Sequence, residues 1–199
     1  MQKYILWILG ILLFFQVNAQ RAKESWKDYL SFSNATKVVV TDNKIYCVTE
    51  GGLFYYDLQD NSINKFSGLT GLSDFGIKTI AYSNANKVLV VVYKNSNIDL
   101  VRESGIINLP DIKRKQITGD KNINNISFVG NEALLSCGFG IVALNLERNE
   151  VKDTYFIGEE GGSLQVNDVE SDGQFLFAAT NEGILKADIN SSNLLDYRN

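Results

Sequence analysis

Past residue 35 the chain alternates short apolar runs with polar punctuation. Runs of four to six β-branched and aromatic residues are each closed by Gly, Asn, Asp or Ser, and no segment sustains a helical period. The first block predicts strands over Lys37–Thr41, Lys44–Thr49, Leu53–Leu58 and Ile63–Phe66. Turns are predicted at Asp42-Asn43, Glu50-Gly51-Gly52 and Asp60-Asn61, where Gly and Asn tolerate the left-handed backbone that tight hairpins need. Proline occurs once, at Pro110, so the turns depend on Gly and Asn rather than on a fixed φ.

The block then repeats. Asn43, Asn86, Asn131 and Gly173 head equivalent strands at spacings of 43, 45 and 42 residues. A second landmark, Gly52-Leu53, Asn97-Ile98, Gly140-Ile141 and Gly183-Ile184, recurs at 45, 43 and 43. Five residues after each of these stand Asp57, Arg102, Asn145 and Asp188. Two registers agree, so the period is a property of the fold. Four short strands in 40–45 residues make one propeller blade, and so thin a sheet must stack on its neighbours. The predicted class is all-β: a β-propeller of four-stranded antiparallel blades at about 36–67, 77–109, 123–157 and 166–197. Blade-to-blade connections fall at Gly68–Gly76, Lys113–Asn122 and Gly158–Gln165. About four blades predict part of a larger propeller, and the Trp26–Phe32 segment reads as a strand ahead of the first blade.

Residues 1–19 read as a signal peptide: Lys3 at the start, an apolar stretch from Tyr4 to Phe15, and Val17-Asn18-Ala19 as the cleavage site before Gln20. The stretch is shorter than a membrane span, so the mature chain, 20–199, carries no transmembrane segment. Export permits disulfides, yet Cys47 and Cys137 fall in the second strands of the first and third repeats, a blade apart, which predicts two free buried thiols.

Composition removes more functions than it offers. There is no histidine, which excludes Ser-His-Asp and Cys-His machinery and the commonest metal ligand. A net charge of −4 lacks the basic footprint of nucleic-acid binding. The one basic run, Lys113-Arg114-Lys115, reads as a solvated loop.

Four strings invite chemistry. Gly138-Phe139-Gly140-Ile141-Val142-Ala143 has dinucleotide-fingerprint spacing, but a strand follows where a helix is required, so it reads as a turn. Asp168-Val169-Glu170-Ser171-Asp172-Gly173 has the start of a calcium loop, with Ala179 where the bidentate Glu belongs; strand and hairpin turn explain it better. Glu159-Glu160 in a glycine-rich loop reads as solvated. In Phe54-Tyr55-Tyr56, alternation assigns Phe54 and Tyr56 to a packed face and leaves Tyr55 open, a cluster able in principle to stack a sugar. The sequons at Asn34, Asn125 and Asn190 matter only on a eukaryotic route. No catalytic, cofactor or metal residue is predicted, and the binding residues stay unassigned.

Gly71-Leu72-Ser73-Asp74, with Ile77 and Ile80-Ala81-Tyr82, resembles the blade junction of two-component-regulator propellers. Asn95–Leu100, Ile123–Ile126, Cys137–Val142 and Glu150–Gly158 resemble the PorZ family, the propeller component of type IX secretion in Bacteroidota. The resemblance implies an outer-membrane surface protein with two propellers and a C-terminal signal domain. It implies partners as well: a sortase-like protease, an outer-membrane barrel protein and a further subunit, which together mature cargo and link it to anionic lipopolysaccharide. The chain covers only part of the first propeller, and the family offers no catalytic motif here, so a non-enzymatic binding and scaffold role without cofactor is expected. Two rivals remain: a periplasmic ligand-sensing propeller of a hybrid two-component regulator, and a glycan-active propeller enzyme, for which S-x-D-x-G-x-T-W boxes are absent.

Overall fold

Each run of apolar residues between Gly, Asn and Asp turns forms an extended strand in the computed structural model, which describes residues 32–66, 70–117 and 119–191. The strands are β1 (Ala35–Val40), β2 (Lys44–Thr49), β3 (Gly52–Asp57), β4 (Ile63–Phe66), β5 (Ile77–Ser83), β6 (Val88–Tyr93), β7 (Ile98–Arg102) and β8 (Gly105–Leu109). A one-turn helix, α1 (Asp111–Arg114), follows Pro110. Then come β9 (Ile123–Val129), β10 (Glu132–Cys137), β11 (Gly140–Asn145), β12 (Glu150–Tyr155), β13 (Val166–Ser171), β14 (Phe175–Thr180) and β15 (Gly183–Asp188). They pair antiparallel in chain order into three four-stranded sheets and, among the described residues, a three-stranded one. The first strands of successive sheets face one another, β1 to β5, β5 to β9 and β9 to β13, so the sheets stack around a common axis. This is the propeller arrangement that the repeat predicts. Among the described residues, no helix is long and apolar enough to cross a membrane.

The leader, residues 26–31 of the predicted leading strand, Gly68-Leu69 and residues 192–197 of the last repeat lie outside the described residues. Phe32 is described and is not in a strand; its ring meets that of Phe54 edge-on at 6.1 Å.

Why the sheets need each other shows in β6. All six residues, Val88 to Tyr93, are buried. Val88, Val90 and Val92 pack toward β10 and β11, while Leu89, Val91 and Tyr93 pack toward the first sheet. In the third sheet, Leu135 and Cys137 face backward and Leu134 faces forward to Val169 and Leu176. Fully burying one such side chain contributes about 1.5–3 kcal/mol, so an inner sheet draws on both interfaces.

The first sheet corrects the aromatic reading. Tyr55, left open by the alternation, packs inward with Tyr46 and Phe66, while Phe54 and Tyr56 lie half-buried on the opposite face with exposed Val38 and Val40. Alternation identifies which residues share a face but not which face a neighbour covers.

An unforeseen repeat lies in the axial strands. The register skips one residue in each of β1, β5, β9 and β13: Thr36, Lys78, Asn124 and Asn167. Such bulges sharpen the local twist and bend the strand, here at the same place in every unit.

Candidate binding surface

The two rims of the stacked sheets are built differently. One rim carries the turns joining first to second and third to fourth strands. The fifth-position landmark is explained here: Asp57 accepts from the Gln59 amide at 2.9 Å, Asn145 from Glu147 at 3.0 Å, and Asp188 from Asn190 at 2.8 Å. Each closes the turn after the third strand, as short polar side chains do. Arg102 departs from the pattern. Its guanidinium donates to Asn86 O at 2.7 Å and reaches the next sheet at Leu146 O and at Asn149 Oδ1, the latter at 3.3 Å. Asn86 Nδ2 donates to Gly130 O at 3.2 Å, and Lys87 pairs with Asp42 at 2.8 Å, so turns of neighbouring sheets are tied side to side.

Between the first two sheets this rim opens into a cleft of about 860 Å³. Tyr46, Tyr55, Phe66 and Tyr82 line it, with Asp42, Lys87, Asp57, Arg102 and Glu103 at the edge. The Tyr55 ring lies 5.5 Å from both Tyr46 and Phe66, and Lys44 Nζ stands 4.9 Å from its centre. Burial, with Tyr55 and Tyr82 adding, pushes the Tyr46 hydroxyl up to about 12, so it stays a neutral donor. Flat rings and flanking charges of both signs suit a polar ligand that stacks.

The other rim carries the sheet-to-sheet connections. In Gly71-Leu72-Ser73-Asp74, Leu72 is buried between the first two sheets. The Ser73 amide donates to Asp99 Oδ2 at 2.9 Å, and Asp99 is fully buried on β7. Tyr93 donates its hydroxyl to the same oxygen at 2.5 Å, and Asn108 Nδ2 donates to Oδ1 at 2.9 Å. Burial first, then the Asp99 carboxylate, drives the Tyr93 hydroxyl far above its ordinary value. Asp74 accepts from Lys113 at 2.6 Å and Asn95 at 2.7 Å. Partial burial pushes the Asp74 carboxyl up, but those two bonds outweigh it and hold it at about 2. The junction string is therefore a clamp that fastens the connection from the first sheet onto the second.

The four strings resolve as turns and strands. Gly138 and Gly140 flank the β10–β11 turn with no helix after them, and a Cβ on Gly138 would stand 2.4 Å from Asp120 O. Asp168 lies on β13 and accepts from Asn125; Asp172 accepts from the Gln174 and Phe175 amides at 2.9 and 2.7 Å. Among the described residues, no group of three or more His, Cys, Asp or Glu is placed to hold a metal. Glu159 and Glu160 lie exposed in a short 3-10 turn. Of the basic run, Lys113 is held by Asp74, whereas Arg114 and Lys115 are in no ion pair among the described residues, a distinction that sequence does not reveal.

Both cysteines are free and buried, in the first and third sheets. Burial pushes the Cys137 thiol up to about 12 and raises Cys47 by less. At pH 8 the Cys137 thiol is almost entirely protonated and poorly reactive. Ellman's reagent is therefore expected to label neither thiol at the rate of free cysteine until denaturant is added. Prompt native labelling of Cys137 would contradict its placement in the core.

The family profile described as "TSS9, PorZ, N-terminal beta-propeller domain" matches residues 45–199. Among solved structures, PorZ from Porphyromonas gingivalis, an essential bacterial surface component of its type IX secretion system, is similar at 30% identity and a TM-score of 0.76. That alignment covers 86% of this chain and 22% of PorZ, so the chain spans about a fifth of that protein's length. The extracellular domain of the one-component system BT4673 from B. thetaiotaomicron is similar at 18% identity and a TM-score of 0.62, covering 79% and 23% of the two chains. AztD from Citrobacter koseri is similar at 10% identity and a TM-score of 0.60, over 79% and 44%. These last two show the fold alone. No curated protein matches the chain.

Proposed function

The chain belongs to the PorZ N-terminal β-propeller family of type IX secretion, and from that premise we propose that it is a non-catalytic binding and scaffold module of the secretion system's attachment complex. It is exported by its leader, residues 1–19, and works at the outer-membrane surface as part of a larger first propeller. There it supports maturation of cargo and its attachment to anionic lipopolysaccharide, alongside a sortase-like protease and an outer-membrane barrel protein. The observation that favours binding over catalysis is how the polar groups are used. Among the described residues the one fully buried carboxylate, Asp99, is engaged by three donors, and the Tyr46 hydroxyl of the large cleft is a neutral donor. Together with the absence of histidine, this leaves recognition as the chemistry that the surface offers.

Deleting the gene is expected to leave cargo unprocessed and released rather than anchored, and re-expression of the intact protein restores both. Normal export and surface anchoring in the deletion strain would end the secretion reading. Turnover of a glycan panel by the purified protein would end the non-catalytic one.

A further inference from the structure

Beside α1 the connection rim holds a second cleft, of about 390 Å³, between the exit of the second sheet and the outer strands of the third. Ile112, Ile117, Phe139, Val142 and Val151 line it; Ile112, Phe139 and Val142 belong to the buried core, so the floor is apolar and fixed. Arg114 and Lys115 stand at its edge, both exposed, against the single carboxylate of Asp111. Lys113 is neutralised by Asp74, and Lys121 is absorbed by the carbonyls of Ile112, Lys113 and Lys115 that close the turn. Its neighbours are thereby fixed while Arg114 and Lys115 keep unpaired charge among the described residues.

The surroundings extend the pattern. Across residues 74–78, 94–97 and 110–122 the basic residues are Lys78, Lys94, Lys113, Arg114, Lys115 and Lys121, and the acidic ones are Asp74, Asp111 and Asp120. These segments thus carry six basic residues against three acidic ones, in a chain of net charge −4. Phe75, 73% exposed, projects from the same clamp, since Asp74 accepts from both the Phe75 amide and Lys113. A large aromatic on a loop tied down by hydrogen bonds is the kind of anchor that binding hot spots use.

We propose that this sector docks an acidic polypeptide segment of a partner protein, with one bulky apolar side chain seated in the α1 cleft and its flanking carboxylates on Arg114 and Lys115. A cleft of this volume admits a short segment with its apolar side chain rather than a globular surface, and its mixed walls favour both features at once. The proposal rests on the chain being a binding module but not on the identity of the secretion partners.

The test measures fluorescence anisotropy of the full chain with labelled peptides: Asp-Glu-Leu-Phe-Asp-Glu, its Asn/Gln counterpart, and an all-acidic peptide with Ala in place of Leu-Phe. The first is expected to bind at least tenfold more tightly than either control, and raising salt from 50 to 300 mM is expected to weaken it severalfold. R114E/K115E, at exposed positions that leave the core intact, is expected to abolish binding with an unchanged Tm. V151E, at the cleft wall and packed against the core, is expected to abolish binding with some loss of Tm, and F75A to weaken binding. Equal binding of the neutral peptide, or an unchanged affinity in R114E/K115E, overturns the proposal. Sedimentation with anionic phosphatidylglycerol vesicles, lost in R114E/K115E while the peptide fails to bind, overturns it in favour of a lipid surface. A deletion strain with normal cargo export refutes the secretion role while leaving peptide binding to stand or fall separately.

Discussion

Asp99→Ala is expected to destabilise the chain by about 3 kcal/mol, lowering Tm by about 6–12 °C at this size. The carboxylate sits fully buried beneath the junction loop and accepts from the Ser73 amide, the Tyr93 hydroxyl and Asn108 Nδ2. Alanine leaves the Ser73 amide and the Tyr93 hydroxyl without this acceptor, each at a cost above what its bond contributed, while Asn108 Nδ2 keeps Asn97 Oδ1 and Ile98 O. Asp99→Asn keeps the shape but turns one accepting position into an N–H. With its oxygen on the Tyr93 and Ser73 side, its nitrogen faces the donor of Asn108, so a loss about half as large is expected. Tyr93→Phe removes a single bond and is expected to cost about 1 kcal/mol. Thermal unfolding followed by circular dichroism ranks the three. If D99A melts with the wild-type protein, the carboxylate is hydrated and the clamp contributes nothing.

The sequence carried the fold because the fold is a repeat. Period-2 runs, Gly and Asn at hairpin turns and two agreeing registers place the four strands of the first sheet within two residues of their observed ends. What stayed hidden acts between repeats. Asp99 reads as one polar residue in a strand, and only stacking brings Ser73, 26 residues earlier, over it. Arg102 stands where its counterparts are turn-closing Asp or Asn, and its reach to Leu146 is invisible in its own unit. The axial bulges leave only a weak local signature, since Thr36, Lys78, Asn124 and Asn167 share nothing beyond polarity, which many strand positions have. Tyr55 shows the same limit from the other side: the period separates the two faces of a strand, and which face is buried depends on the neighbouring sheet. The clefts belong to this class, being spaces between units rather than properties of one.

Gly140→Ala carries the largest expected effect of a single methyl group. A Cβ there would stand 2.2 Å from Tyr155 O and 3.2 Å from Tyr155 C, which are backbone atoms of the paired β12. Nothing flexible can give way, and the φ of +148° is itself one that side chains rarely adopt. Opening the β11–β12 ladder near Ile141 is expected to cost about 4 kcal/mol, a Tm loss of about 8–16 °C. Gly183 occupies the same place in the last repeat, at φ +126°, yet among the described residues nothing lies within 4 Å of a Cβ built on it. Gly183→Ala should then incur backbone strain alone, about 1–2 kcal/mol. The contrast isolates the fourth strand, because β12 is what crowds Gly140 and among the described residues β15 has no such partner. The repeat predicts a partner strand reaching residue 197. If Gly183→Ala proves as damaging as Gly140→Ala, that strand is seated against β15; if it costs only the strain, the third strand of the last sheet forms an edge. Equal and small losses at both glycines would refute the close approach of Tyr155 itself.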